Sequence, residues 1–434
     1  MRPLIAVSLL LLCPPVFAQQ TGAFRSDAAH TGDYRSSGIA SFHKLKWQFH
    51  TAGQILSSPV VADGTVFFGS NDHYLHALDL ATGAEKWKFK TGGRIPSSPA
   101  IANGLVYFLS YDGNFYAVEE ANGKVKWKYA TGGERRFAAK HLHGMEPAAE
   151  TMPDPFDFYL SSPAIAGGLV YFGSSDSNVY ALDAGSGTLQ WKFKTGDVVH
   201  SSPAVTDGTL FIGSWDTYLY ALDAANGKEK WRFKTGEDHE TYNQTGIQAS
   251  PAVANGTVYL GCRDAHFYAI DARSGQKLWA YDNKGSWVIG SAAVRDGRVY
   301  FATSDTGLLN AVDGKTGTLL FSIDFNHWPM FSSPGIAGNM VYLGSHQGRL
   351  LAVDLASQKL AWTFATEAAK KNGPSLTDSK GAPNYEAAFA DSFYDDVVSG
   401  IQKMFTVGAI LSSPAVSGDT ILFGSADGNL YAIM

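Results

Sequence analysis

The 434-residue chain contains only two cysteines, Cys13 and Cys262. Cys13 falls in a leader segment, so once that segment is cut no intrachain disulfide can form, even in an oxidising compartment. Cys262 ends the strand-like run Val258-Tyr259-Leu260-Gly261-Cys262 and reads as a small strand residue. A reactive thiol would need an electropositive, accessible setting. Charge is sparse as well: 17% of residues are Asp, Glu, Lys or Arg, the net charge is −6, and no Lys/Arg cluster stands out along the chain. A phosphate backbone needs a concentrated basic surface, so nucleic acid is excluded as an expected partner. A Ser-His-Asp order, a phosphate-cradling loop and a zincin helix are all missing, and no catalytic residue is assigned. No apolar run is long enough to span a bilayer.

The one leading apolar stretch, Ile5 to Leu12, is short. With Arg2 before it and Val16-Phe17-Ala18 after it, it reads as a secretory signal cut after Ala18. Leu12 precedes Cys13 and Pro14-Pro15 follow, which is not a lipidation site. The expected product is soluble, and periplasmic or secreted, with no transmembrane segment in the mature chain. Residues 19–44 form a lead-in.

What the chain has in abundance is repetition. Ser-Ser-Pro occurs at Ser57, Ser97, Ser161, Ser201, Ser332 and Ser412, with degenerate copies at Ala249-Ser250-Pro251 and Gly290-Ser291-Ala292. Uninterrupted spacing is about 40 residues, the period of four-stranded propeller blades. In the first repeat, Ser58–Val61 reads as a short inner strand A, and Asp63-Gly64 as a tight hairpin turn. Thr65–Gly69 is strand B, Tyr74–Leu78 strand C and Lys86–Lys90 strand D, where Trp87 and Phe89 alternate with lysines. A tryptophan recurs on strand D at 47, 87, 127, 191, 231, 279 and 362, with Phe321 standing in once. The last repeat stops after its strand C, at Tyr431-Ala432-Ile433. Near the other end, Leu45–Phe49 is a strand D with no blade before it. Pairing the two completes a ring and removes the open sheet edges. The fold expected is all-β: an eight-bladed propeller of four-stranded antiparallel blades over residues 45–434, closed by the N-terminal strand.

The pattern Ala-x-Asp-x-x-x-Gly-x-x-x-Trp, as in Ala181 to Trp191, resembles the pyrroloquinoline-quinone (PQQ) repeat of quinoprotein dehydrogenases and of BamB-type outer-membrane assembly factors. Phe24-Arg25-Ser26-Asp27-Ala28-Ala29-His30-Thr31-Gly32 is similar to the lead-in of exported propellers of that kind. The resemblance covers roughly residues 24–434 and implies the fold; the same propeller hosts enzymes and scaffolds alike. The chain departs from the dehydrogenases, which carry an adjacent cysteine pair and are longer, and it lacks a Cys-x-x-Cys-His haem motif. It departs from the assembly factors in lacking a lipobox, and blade 7 has Gln358 where the repeat glycine belongs.

Three insertions, at about 133–157, 237–245 and 365–407, all join a strand D to the next strand A, which places them on one face; loops on a rigid scaffold are where binding resides. The first holds Arg135, Arg136, His141, His143, Glu146, Asp154 and Asp157, and His-x-His followed by carboxylates can ligate a metal; a solvated polar loop is the other reading. The second, Asp238-His239-Glu240, offers the same choice. The third spaces Tyr385, Phe389, Phe393, Val397, Ile401 and Phe405 four apart, as one helix capped by Asn384, with Asp391, Asp395 and Asp396 on its other side. Residues just before the Ser-Ser-Pro copies ring the channel mouth: Arg94, Tyr159, His200, Gln248, Trp287 and Trp328. Such a funnel suits a planar anion, so Arg94, His200, Gln248, Trp287 and Trp328 are the candidate cofactor-binding set, for PQQ with Ca²⁺; packing and wet channel lining is the plainer reading. The Asp series at 72, 112, 176, 216, 264, 305 and 427 reads as turn structure. Function is expected to be non-catalytic binding or scaffolding of a protein partner or small ligand on the insertion face, as in a BamB-type factor. The alternative is a compact PQQ- and calcium-dependent dehydrogenase of an alcohol or sugar.

Overall fold

In a computed structural model that describes residues 22–236, 246–389 and 394–434, eight four-stranded antiparallel sheets make a propeller. The leader, the second insertion with Asp238-His239-Glu240, and Asp391 and Phe393 lie outside the described residues. Blade 1 comprises strands A (Val60–Ala62), B (Thr65–Gly69), C (Tyr74–Asp79) and D (Glu85–Lys90). Strand B is buried throughout and strand D alternates, as expected for the middle and the outer edge of a blade packed between neighbours. Blades 2 to 7 repeat this order. Blade 8 takes Ala415–Ser417, Thr420–Gly424 and Asn429–Ile433 from the C-terminus and Leu45–His50 from the N-terminus. Trp47 lies opposite Ala432 and Gln48 opposite Tyr431, so the ring closes as the sequence implied.

Strand A starts after Ser-Ser-Pro because the serines are otherwise engaged. The first serine turns its hydroxyl to its own blade: Ser57 accepts from the N–H of Gly69, Ser161 from Gly173 and Ser412 from Gly424. The second serine links blades. The N–H of Ser58 donates to the hydroxyl of Ser98, Ser98 to Ser162, Ser162 to Ser202 and Ser202 to Ser250. Beyond blade 5 the chain of bonds resumes from Ser291 to Ser333, Ser333 to Ser413, and Ser413 back to Ser58. Buried N–H groups that sheet pairing cannot reach are thereby satisfied around the axis.

The Gly and Trp of the repeat are one device. Each indole N–H donates to a carbonyl in the C-to-D turn of the next blade, as Trp127 does to Ala184 O and Trp191 to Ala224 O. The ring lies on that turn's glycine: a Cβ on Gly187 would stand 2.6 Å from the Trp127 indole. Blade 7 is the exception that fits: Gln358 replaces the glycine where the preceding blade has Phe321, a smaller ring, and Phe321 and Leu355 of the same turn both pack against the core between the two blades. The closing blade has no C-to-D turn of its own, and the lead-in supplies one: Ile39 O accepts from both Trp362 Nε1 and the Tyr342 hydroxyl.

Two expectations need correction. The third insertion is not one helix: α1 (Glu367–Asn372), α2 (Tyr385–Ala388) and α3 (Tyr394–Phe405) are separate. Asn384 does cap α2 through the N–H of Ala387, but Phe389 is extended, which lets its ring fold back over Gly400. The absence of a basic cluster also holds only along the chain. Exposed strand D residues gather Lys86, Lys88 and Lys90 of blade 1, Lys126 and Lys128 of blade 2, Lys192 and Lys194 of blade 3, and Lys230, Arg232 and Lys234 of blade 4 on one half of the rim. Lysines suit edge strands because they deter edge-to-edge pairing. Blades 5 to 7 expose Leu278, Leu320 and Leu360 on their edges instead.

Candidate functional site

The D-to-A connections and B-to-C turns meet at one end of the channel, and there the insertions turn inward. Phe156 and Phe158 from the first insertion and Val397, Ile401 and Phe405 from the third pack with Leu56, Trp287, Ile289, Phe331 and Leu411 of the ring in one apolar cluster. His346, on the B-to-C turn of blade 7, closes the gap between Phe331 and Phe405, at 4.4 and 5.9 Å between ring centres. Burial pushes its pKa down to about 3, which makes it a neutral filler at physiological pH. What is left of the channel is a cavity of about 40 Å³ lined by the second serines, His200 and Gln248, with Phe24 of the lead-in at its far end.

Below the apolar plug lies a buried polar knot. The guanidinium of Arg263 sits 4.4 Å from the ring centres of both Trp215 and Trp287. Its Nη1 donates to Asp154 at 2.6 Å, and its Nε and Nη2 donate to Gln248 Oε1 at 3.1 and 2.8 Å. Gln248 passes its own N–H to Phe156 O, so one arginine ties blade 5 to the first insertion. Phe137 stacks on the far side of Trp215, 4.2 Å away. Burial alone would raise the Asp154 carboxyl, but Arg263, with His143 at 3.4 Å, holds it well below the usual carboxylate range.

A second knot joins blades 3 and 4. Asp157 accepts from the N–H of Phe137 and lies 2.8 Å from His200 Nδ1. His200 Nε2 meets the Ser175 hydroxyl at 2.7 Å, and Ser175 also bonds Glu134. Burial opposes a charged imidazole, but the Asp157 charge and its hydrogen bond, with Glu134, hold the His200 pKa above its ordinary value. Burial likewise holds Glu134 above the carboxylate range, against hydrogen bonds from Ser174 and Ser175. Ser175, His200 and Asp157 share the connectivity of a hydrolase relay. Ser175 is 1% exposed and faces a carboxylate, where an acyl transfer site needs open access and oxyanion donors.

The residues expected at the funnel therefore divide. Gln248 and Trp287 meet through Arg263, and His200 lies in the neighbouring knot. Tyr159 donates to Leu411 O. Arg94 stacks on Tyr111 at 4.0 Å, half-buried. Trp328 is drawn away, donating to Gly381 O under the third insertion with Leu376, Met404 and Val407. Among the described residues, no three His, Cys, Asp or Glu side chains come together as a metal site. Arg263, Trp215, Glu134 and Ser175 were not singled out from the sequence, yet Arg263, Trp215 and Ser175 stand at one repeat position, just before the Asp of the B-to-C turn. Their signal was variation inside a constant frame.

The Asp series is structural, as expected, except at Asp305, which among the described residues takes only the Ser304 hydroxyl, and at the other positions it does more than shape its own turn. Asp176 Oδ1 accepts from the N–H of Asn178, while its Oδ2 takes the Tyr180 hydroxyl and the N–H of Gly132 from the preceding blade.

A family model described as outer membrane protein assembly factor BamB matches residues 42–175 and 268–434. This chain belongs to that PQQ-repeat propeller family. No curated protein matches it. Among solved structures, BamB from Moraxella catarrhalis is similar at a TM-score of 0.63 and 14% identity, over 90% of this chain and 97% of that one. A europium-containing methanol dehydrogenase is similar at 0.67 and 14%, over 96% and 98%. Quinohemoprotein alcohol dehydrogenase from Comamonas testosteroni is similar at 0.68 and 15%, over 97% and 81%. At such identity these likenesses speak for the fold that the PQQ-repeat family shares, with enzymes among its look-alikes.

Proposed function

We propose that this chain is an exported, non-catalytic propeller that binds a protein partner through its insertion face, as the description of its family as an outer membrane protein assembly factor suggests. The observation that carries the reading is the filled mouth. Small-molecule pockets run to about 300–1,000 Å³, whereas 40 Å³ holds little more than a water. The tricyclic quinone and its cation do not fit the residues present. Arg263 fills the space between Trp215 and Trp287, and the carboxylates nearest the mouth are committed: Asp154 to Arg263, Asp157 to His200. Calcium requires six to eight oxygen ligands, about as many as a dedicated cage supplies. A ridge built of the chain's own loops offers a partner protein a shaped surface rather than a hole. Among the described residues no helix is long and apolar enough to cross a membrane.

Titration of the purified protein with PQQ, in the presence of Ca²⁺ and separately of Eu³⁺, tests this. Quinone absorbance and tryptophan fluorescence are expected to show no saturable change. Saturable, cation-dependent binding followed by oxidation of an alcohol would replace the proposal with the dehydrogenase reading.

A further inference from the structure

A cavity of about 810 Å³ lies on the face opposite the insertions, and nothing in the reading above uses it. Its floor is the lead-in and its walls are the inner strands and A-to-B turns of blades 8, 1, 2 and 3. Strand A is the innermost strand of every blade, so one of its edges faces the axis with no strand beside it. The lead-in covers that edge in five blades. Ile101 of blade 2 donates its N–H to Gly22 O at 2.9 Å. Val205, Val253, Val294 and Ile336 of blades 4 to 7 donate to Ala28, Ala29, Thr31 and Gly32 at 2.7 to 2.8 Å.

Register identifies the matching positions in the other three blades. Ile101 stands opposite Val106 in a pair whose N–H and C=O point away from strand B. Val61 opposite Val66, Ile165 opposite Val170 and Val416 opposite Ile421 are its equivalents in blades 1, 3 and 8. None of the three gives its N–H to a described residue, and all three line the cavity. Among the described residues, the cover of the inner edges thus stops at this cavity.

We infer that this cavity is a second binding site, which takes an extended peptide segment of a partner protein whose main-chain carbonyls accept the inner-edge N–H groups of blades 8, 1 and 3, one per blade, as the lead-in does elsewhere. The lead-in seated on the equivalent edges shows what such a segment must be. Main-chain carbonyls meet the N–H row, and Ala28, Ala29 and Gly32 make most of the contacts because the converging strands leave little side-chain room. Even a Cβ on Gly22 would approach Val60 Cγ1 to 2.8 Å. Main-chain hydrogen bonds give such a segment its affinity and side-chain room its specificity. The inference is independent of what the insertion face binds.

The test uses the full chain and a fluorescein-labelled probe, acetyl-Ala-Ala-His-Thr-Gly amide, which copies residues 28–32. Fluorescence anisotropy is expected to show saturable binding. Ile165→Pro, which deletes one donor, and Ala166→Trp, which fills the cavity from a half-exposed position, are each expected to weaken it by about tenfold, the effect of one well-made hydrogen bond. A benzophenone amino acid placed at position 166 is expected to crosslink the probe. No saturable binding, or undiminished binding in Ala166→Trp with an unchanged circular dichroism spectrum, overturns the inference. So does a crosslink from position 166 to residues 1–21 of the same chain or to a second copy, since either would name a different occupant.

Discussion

Replacing Arg263 with methionine is the sharpest perturbation of the polar knot. The side chain is buried between two indoles, and its charge is what keeps Asp154 ionised at 0% exposure. Removing one partner of a buried ion pair costs about 3–5 kcal/mol. Two desolvated cation–π contacts add up to about 2 kcal/mol each, while methionine restores part through its volume and its sulfur–aromatic contact. His143, 3.4 Å from Asp154, retains some compensation. A net loss of about 3–5 kcal/mol is expected at neutral pH. Unfolding entropy of about 2 cal/mol/K per residue makes that a fall in Tm of about 3–6 °C if the ring unfolds as one unit. The sign of the pH dependence discriminates further. In the native protein Asp154 is held below its unfolded pKa, so its contribution is present above about pH 3.9 and is lost as pH falls through the folded value. Without Arg263, burial raises the same carboxyl, and the variant regains stability as Asp154 takes up a proton. The gap between the two proteins, measured by urea denaturation, should therefore narrow from pH 7 to about pH 4.5. In Arg263→Met with Asp154→Asn it should be small at both. A loss under about 1 kcal/mol, or a gap that ignores pH, would refute the reasoning.

Other consequences are as direct. Ser202→Ala strands the buried N–H of Ser162 and should cost about 1–3 kcal/mol by urea midpoint; a neutral effect would mean the serine ring is not structural. Phe321→Trp should cost about 1–3 kcal/mol through overpacking against the Gln358 turn, and Gln358→Gly in the same molecule should recover most of it, read as a double-mutant cycle. Additivity would show that the two positions do not meet. Against the cost of burial, Asp157 and Glu134 favour the protonated form of His200, so its stabilisation is complete below about pH 6.5 and fades as pH rises through the raised folded value. The stability gap to His200→Asn should shrink as pH rises above about 6.5, and a constant gap would place the imidazole's role in packing alone.

The ring was legible because every element of it repeats. Ser-Ser-Pro, the hairpin glycines, the strand D tryptophan and the paired defects at the two ends each constrained the same architecture. The filling of the mouth was not legible. Phe156, Phe158, Ile401 and Phe405 come from two insertions some 250 residues apart in the chain, and no local period registers that they meet. Four-residue spacing predicts one helix from 385 to 405, but Phe389 is extended and its ring packs against Gly400. Polar or aromatic character near a channel is shared by ligand-binding residues and by residues that anchor loops; only the partners distinguish the two, and Trp328 bound to Gly381 is the clearest instance. The lysines of the rim were invisible as a cluster for the same reason that the blades were visible: one strand per repeat contributes them.

Backbone hydrogen exchange read by mass spectrometry tests the filled mouth most directly. Peptides covering residues 150–160 and 397–411 are expected to exchange as slowly as the buried strands B of blades 3 and 8, Leu169–Ser174 and Thr420–Gly424. Exchange there as fast as in the exposed Asp63-Gly64 turn would mean that the insertions are loose covers over an open channel, and the proposal that the mouth is closed to a cofactor would fail with it.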